Sequence, residues 1–213
     1  MMVREGLRMV LELEKDIQIV GEAEDGRQAV AMVKELQPAV VLMDIAMPLL
    51  NGVEATRQIL KNFPGTKVLI LSAHGHAAFV NQISELGAAG FLLKQTSSAV
   101  VAQAIREVLK GKTFFSPSVG KSLSAGDPKS LSRDGLPRKK DNQLSSREVE
   151  VLQLIAEGQA NKQVAAELGL SFKTVDKYRQ HLMSKLNIHD VASLTRYAME
   201  AGIIESKDRG ASS

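Results

Sequence analysis

Apolar residues in the first 112 positions follow two alternating patterns. Ile17–Val20, Ala39–Met43, Lys67–Leu71 and Gly90–Leu93 are short runs rich in Val, Ile and Leu. Nearly continuous apolar runs of that length suit strands of a parallel sheet covered on both faces. Between them, apolar residues recur at helical spacing: Val3, Leu7, Val10 and Leu11, then Ala29, Val30, Val33 and Leu36. Further helical stretches run over Val53–Leu60, Ala77–Leu86 and Ser98–Leu109. Strand alternating with helix predicts βαβ units and a doubly wound α/β sheet. The pattern opens on a helix, so the strand that should precede that helix is missing from it.

From Ser116 to Asn142 the periodicity stops. This stretch is rich in Ser, Gly, Pro and Lys, the composition of a flexible linker. From Leu144 onward the pattern is helical throughout, with helices expected near Ser146–Glu157, Asn161–Leu168, Phe172–Leu186 and Val191–Ala201. The expected organisation is an α/β domain over 1–112, a basic linker over 113–142 and an all-α four-helix domain over 143–205.

Composition narrows the class. Hydrophobic residues make up 44% and charged residues 24%, as in soluble globular chains. No apolar run approaches the roughly 18 residues of a membrane span. The amphipathic opening MMVREGLRMVLELEKD lacks the apolar core of a secretion signal. The chain contains no Cys, which excludes disulfides and thiolate metal sites. Together these features place the chain in the cytoplasm. The net charge is only +3, but residues 112–140 carry +5 of it, while 1–111 carry −1 and 141–206 carry −2. Such a segment either holds a polyanion loosely or is simply solvated.

The C-terminal helices carry the first chemical signal. Asn161 is expected to cap the helix Asn161–Leu168, Gly169-Leu170 to form a turn, and Ser171 to cap Phe172–Leu186. Two helices across a short Gly-containing turn predict a helix-turn-helix, whose second helix enters a major groove. On that helix Val175, Tyr178, Leu182 and Leu186 share one face, which should pack inward. Lys173, Asp176, Lys177, Gln180 and Ser184 occupy the opposite face. Lys173, Lys177, Arg179 and Lys185 against Asp176 give the helix +3, although its domain is net negative. Lys177 and Gln180 are candidates for base edges. Lys173, Thr174 and Arg179 are candidates for phosphate contacts. Asp176 either accepts from cytosine or pairs with Lys173 or Gln180.

These residues resemble a known family. Leu144-Ser-Ser-Arg-Glu-Val-Glu-Val-Leu-Gln-Leu-Ile-Ala-Glu-Gly158, with Asn161-Lys, Thr174-Val175 and Lys185-Leu186, is similar to the LuxR-type helix-turn-helix. The N-terminal part resembles a flavodoxin-like receiver domain. Together they resemble a response regulator of the NarL/FixJ type. Where that family often has Lys-x-His after Thr-Val, this chain has Asp176-Lys-Tyr178, so its operator is expected to differ. The resemblance implies transcription control, a sensor histidine kinase as partner and a homodimer on DNA.

Asp44 follows the run Ala39–Met43, and the carboxyl end of a parallel strand is where ligands bind in such folds. Asp44-Ile-Ala-Met-Pro48-Leu-Leu-Asn51-Gly52 is similar to the receiver phosphorylation loop. Ser72 and Lys94 end the following two strands. The resemblance makes Asp44 the phospho-acceptor, Ser72 and Lys94 the phosphoryl contacts, and Phe91 a switch aromatic. The chemistry is coherent, because a cation must offset charge on the transferring oxygens. Phosphorylation would then release or pair the C-terminal domains and raise operator affinity.

The missing first strand bears on the metal. In the family it ends in an acidic pair that holds Mg²⁺ beside the phospho-acceptor. Here no acidic pair lies upstream, and Glu5 sits on the helix. Asp44 alone should hold Mg²⁺ weakly, since that ion prefers several oxygen ligands. One explanation is a start codon placed downstream of the true one, which the retention of Asp44, Ser72 and Lys94 favours. The other is a degenerate receiver that no longer uses phosphorylation. An enzyme on the same scaffold would need a phosphate-binding Gly loop, and the chain has no GxGxxG or Walker sequence. His74 and His76 alone are weak grounds for catalysis. A ligand-sensing quorum regulator would need an aromatic-rich pocket domain, and this chain has no Trp and two Tyr.

Overall fold

The structure, a computed structural model, describes residues 2–73, 80, 83–116 and 144–204, with side chains from residue 4 onward. Helix α1 spans Met2–Leu11, α2 Gly26–Leu36 and α3 Gly52–Asn62. Strand β1 spans Val40–Asp44, β2 Lys67–Ser72 and β3 Gly90–Leu93. Helix α4 spans Ser98–Leu109, and β4 is the pair Phe114–Phe115. The second domain contains α5 (Ser146–Ala156), α6 (Asn161–Leu168), α7 (Phe172–Leu186) and α8 (Val191–Glu200).

The four strands form one parallel sheet in the order β1-β2-β3-β4. Because side chains alternate along a strand, β2 divides its apolar residues between two cores. Val68 and Ile70 join Val33 of α2, Ile59 of α3 and Phe91 on one face. Leu69 and Leu71 join Leu11 of α1 and Val101, Ile105 and Val108 of α4 on the other. Helices therefore cover both faces, as the doubly wound pattern predicts. Each fully buried Leu, Ile or Phe contributes about 1.5–3 kcal/mol.

Three expectations need correction. Ile17–Val20 is not a strand. Ile17 and Ile19 do pack with Val40 and Leu42 against the core, so the apolar signal was real. Among the described residues, however, the sheet ends at β1, and no adjacent strand offers Ile17–Val20 a hydrogen-bond ladder. Second, Lys94 lies one residue beyond β3 rather than at its end, and β3 is not the last strand. Phe114–Phe115 adds β4, with Gly90 opposite Phe114 and Phe91 opposite Phe115. A Cβ at Gly90 would collide with the Phe114 carbonyl, so the glycine permits this approach. Third, Asp44 is the last residue of β1 rather than the residue after it.

Half of the helix expected over Ala77–Leu86 falls outside the described residues, as do His74 and His76. Residues 83–85 are helical, and Val80 and Ile83 are buried. Most of the expected linker also lies outside the described residues.

In the second domain α5 begins with a capping box, in which Ser145 and Glu148 each bond the other's backbone N–H. Val151, Leu152, Leu154, Ile155, Val164, Val175, Leu182 and Leu194 make its core.

Candidate phospho-acceptor and nucleic-acid surfaces

Asp44 and Lys94 meet at the carboxyl edge of the sheet. Lys94 Nζ lies 2.7 Å from Asp44 Oδ2. The register puts Ser72 opposite Leu93, and the Lys94 backbone N–H donates to the Ser72 carbonyl at 2.8 Å. Asp44 and Ser72 thus end two neighbouring strands, and Lys94 directly follows the third. The Asp44 side chain is about one-third exposed and that of Lys94 about one-fifth, so solvent reaches the pair. Asp44 Oδ1 also accepts from the Ala46 backbone N–H at 3.2 Å. Ser72 is nearly buried, and Phe91 is fully buried in the core that α2 and α3 cover.

The loop between β1 and α3 is tightly built. Asn51 caps α3 by accepting from the Glu54 N–H at 2.9 Å. Gly52 donates to the Ile45 carbonyl at 2.8 Å, and a Cβ there would strike the Asp44 carbonyl. Leu49 adopts φ 64°, a left-handed conformation that branched side chains rarely take.

This donor set does not fit Mg²⁺. Asp44 brings one carboxylate, and Lys94 occupies one of its oxygens. Glu5 is an exposed residue of α1. Among the described residues, no group of three or more His, Asp or Glu side chains is arranged to hold a metal.

The helix-turn-helix geometry follows from its caps. Gly169 ends α6 at φ 61°, and Ser171 caps α7 by accepting from the Thr174 N–H at 3.1 Å. Asn161 is not the cap of α6. Ala160 holds that position, because the Gln163 side chain reaches back to the Ala160 N–H at 2.9 Å. The Asn161 amide is turned toward α7 instead. It donates to Asp176 at 3.3 Å and accepts from Arg179 at 3.2 Å.

Val175 and Leu182 of α7 are fully buried, while Tyr178 and Leu186 are partly buried beside them. Lys173, Lys177 and Gln180 are exposed on the other side. Gln180 donates to Asp176 at 3.0 Å, so Asp176 pairs with Gln180 rather than Lys173. Thr174 and Arg179 are half-exposed at the margin of this face. Lys185 points away from it and bonds the buried Glu148 of α5 at 2.9 Å. His181 Nε2 approaches the other Glu148 oxygen at 3.2 Å.

A further set of residues carries no local signal in the sequence. Gln153 of α5 is fully buried, and its amide reaches across to the β1–α3 loop. Its oxygen accepts from the Asn51 backbone N–H at 2.7 Å and from Asn51 Nδ2 at 3.2 Å. Its nitrogen donates to the Met47 carbonyl at 2.9 Å and to Glu157 at 2.8 Å. Gln58 of α3 donates to Glu150 at 3.0 Å, and Arg27 donates to the Glu167 carbonyl. Leu49 packs against the core of the second domain.

Comparison with known proteins finds two matching families along the chain. The family profile described as "Response regulator receiver domain" matches residues 1–106. That of "Bacterial regulatory proteins, luxR family" matches residues 142–198. The chain is 38% identical to the transcriptional regulatory protein LiaR of Bacillus subtilis (strain 168), covering 92% of each protein. It is 35% identical to the transcriptional regulatory protein DegU of Brevibacillus brevis, over 88% of this chain and 84% of that one. A solved complex of the two-component response regulator RcsB with DNA is 28% identical, covers 92% of both chains and superposes with a TM-score of 0.55. The chain belongs to the response regulators that join a receiver domain to a LuxR-type helix-turn-helix domain.

Proposed function

We propose that this protein is a transcription regulator of a two-component phosphorelay. In this reading a sensor histidine kinase phosphorylates Asp44, and α7 reads operator DNA. The domain bounds are those expected above: receiver over 1–112, linker over 113–142 and DNA-binding domain over 143–205. The observation that carries the reading is α7 itself. Its apolar side fills the second core while Lys173, Lys177 and Gln180 stand exposed on the opposite side. Relatives described as transcriptional regulatory proteins, and the RcsB–DNA complex, support it.

The site residues take these roles. Lys177 and Gln180 reach base edges, with Asp176 orienting the Gln180 amide. Lys173, Thr174 and Arg179 contact phosphate, and Asn161 steadies Arg179. Two copies bind half-sites about one helical turn apart. Asp44 is the nucleophile. Its carboxylate oxygen forms a bond to phosphorus as the phosphorus–nitrogen bond of the kinase's phosphohistidine, or the phosphorus–oxygen bond of acetyl phosphate, breaks, and Lys94 offsets charge on the phosphoryl oxygens. Ser72 contacts the phosphoryl group, and Phe91 acts as the switch aromatic. The regulator works in the cytoplasm, where the DNA is, and none of the described helices is long and apolar enough to cross a membrane.

Receiver domains generally bind Mg²⁺, and the single carboxylate of Asp44 favours a second reading. That reading is a DNA-binding regulator whose receiver no longer depends on phosphorylation. Intact mass after incubation with acetyl phosphate, with and without Mg²⁺, separates the two. The phosphorelay reading expects a phosphoryl adduct that maps to Asp44 and is lost in Asp44→Asn. Absence of any adduct would favour the second reading.

A further inference from the structure

The contacts joining the two domains fall on one side of the C-terminal domain. They involve Glu150, Gln153 and Glu157 of the α5 region and Glu167 of α6. On the receiver side they fall on Arg27, on Gln58 and above all on the loop that begins at Asp44. Met47 supplies a carbonyl, Leu49 a left-handed backbone and an apolar side chain, and Asn51 a backbone N–H to the clamp. The segment nearest the phospho-acceptor is thus itself the docking surface. With the domains in this contact, Lys173, Lys177 and Gln180 of α7 remain exposed.

We propose that the docked arrangement is itself competent to read DNA. Gln153 and Leu49 fix the C-terminal domain on the phospho-acceptor loop through α5, and α7 is not covered by the receiver. A rearrangement at Asp44 therefore acts on the direction in which α7 is presented, not on whether it is accessible. The proposal rests on the reading of Asp44 as phospho-acceptor and α7 as the DNA-reading helix. Its physical basis is that a buried amide with three hydrogen bonds to Met47 and Asn51 across the interface holds its geometry closely, since breaking them together leaves buried polar groups unpaired. A shift of the Met47–Asn51 backbone must then move α5 or break the clamp.

The chain has no Cys, so docking can be locked at a chosen point. Gln58 and Glu150, whose side chains meet at 3.0 Å across the interface, become Gln58→Cys and Glu150→Cys in one full-length variant. A short bismaleimide joins the two thiols. Affinity is then measured by fluorescence anisotropy on a duplex enriched from a random library by the wild-type protein. The bridged and unbridged forms should bind within about twofold of each other. A loss of about tenfold or more on bridging, with the unbridged form binding normally, overturns the proposal and leaves the DNA-binding reading intact. If no duplex is enriched and neither form binds, the DNA-binding reading falls and the proposal falls with it.

Discussion

The backbone N–H of Asn51 donates to the side-chain oxygen of Gln153 at 2.7 Å, across 102 positions of sequence and between two domains. Asn51 also caps α3, two residues after the left-handed Leu49 and seven after Asp44. One residue therefore ends the loop that follows Asp44, starts a receiver helix and holds the C-terminal domain.

Gln153→Ala should loosen docking. If the domains stayed in contact, the Met47 carbonyl and the Asn51 N–H would lose a partner in a buried place, at a cost of about 1–3 kcal/mol. The chain relieves that cost by opening. Small-angle scattering should show a larger radius of gyration for the variant, with the helical content by circular dichroism unchanged. Identical scattering curves would mean that the other contacts hold the domains without Gln153.

Lys177 and Lys173 should behave differently on DNA. Lys177→Ala should reduce discrimination between operator variants by about 1–3 kcal/mol at one base position. Lys173→Ala should weaken all sequences alike and lower the salt slope by about one. Competition binding on single-base variants at two salt concentrations distinguishes them. A uniform loss in Lys177→Ala would move that residue to the phosphate group of contacts.

How much of this was legible in the sequence depended on whether each signal was local. The bounds of β3, α4 and α7 follow from periodicity and caps, and the closeness of Asp44 and Lys94 is legible because each closes an apolar run that becomes a strand of one sheet. Ile17–Val20 misled because an apolar run reports burial, whereas a strand also needs a neighbour to pair with. Phe114–Phe115 is too short to show any period, and its place depends on Gly90 in another part of the chain. Asn161 looked like a cap because the preceding residue is Ala160, yet Gln163 performs the capping from inside the helix. Gln153 is a polar residue within an amphipathic helix and reads as solvent-facing. Its burial comes from the other domain, which no pattern within α5 reveals.

The Glu148 carboxylate should make the C-terminal domain acid-sensitive. Burial disfavours its charge, but the Ser145 backbone N–H at 2.7 Å and Lys185 at 2.9 Å outweigh that and hold its pKa below the ordinary 4.5. The unfolded chain therefore takes up the proton first. The stabilisation is complete above pH 4.5 and is lost as pH falls through the lower folded value. Thermal unfolding followed by circular dichroism should show Tm falling below that pH. Glu148→Gln should start lower at neutral pH and fall less steeply. Parallel curves for the two proteins would remove Glu148 as the cause.

The most direct test of the account compares wild type with Asp44→Asn on the same enriched DNA duplex, with and without acetyl phosphate. The asparagine keeps the size of the side chain but cannot carry the phosphoryl group. The account predicts that the phosphodonor raises the affinity of the wild type and leaves Asp44→Asn unchanged. Equal affinities for the two proteins under phosphorylating conditions would contradict it, leaving α7 as a DNA reader that the receiver does not control through Asp44.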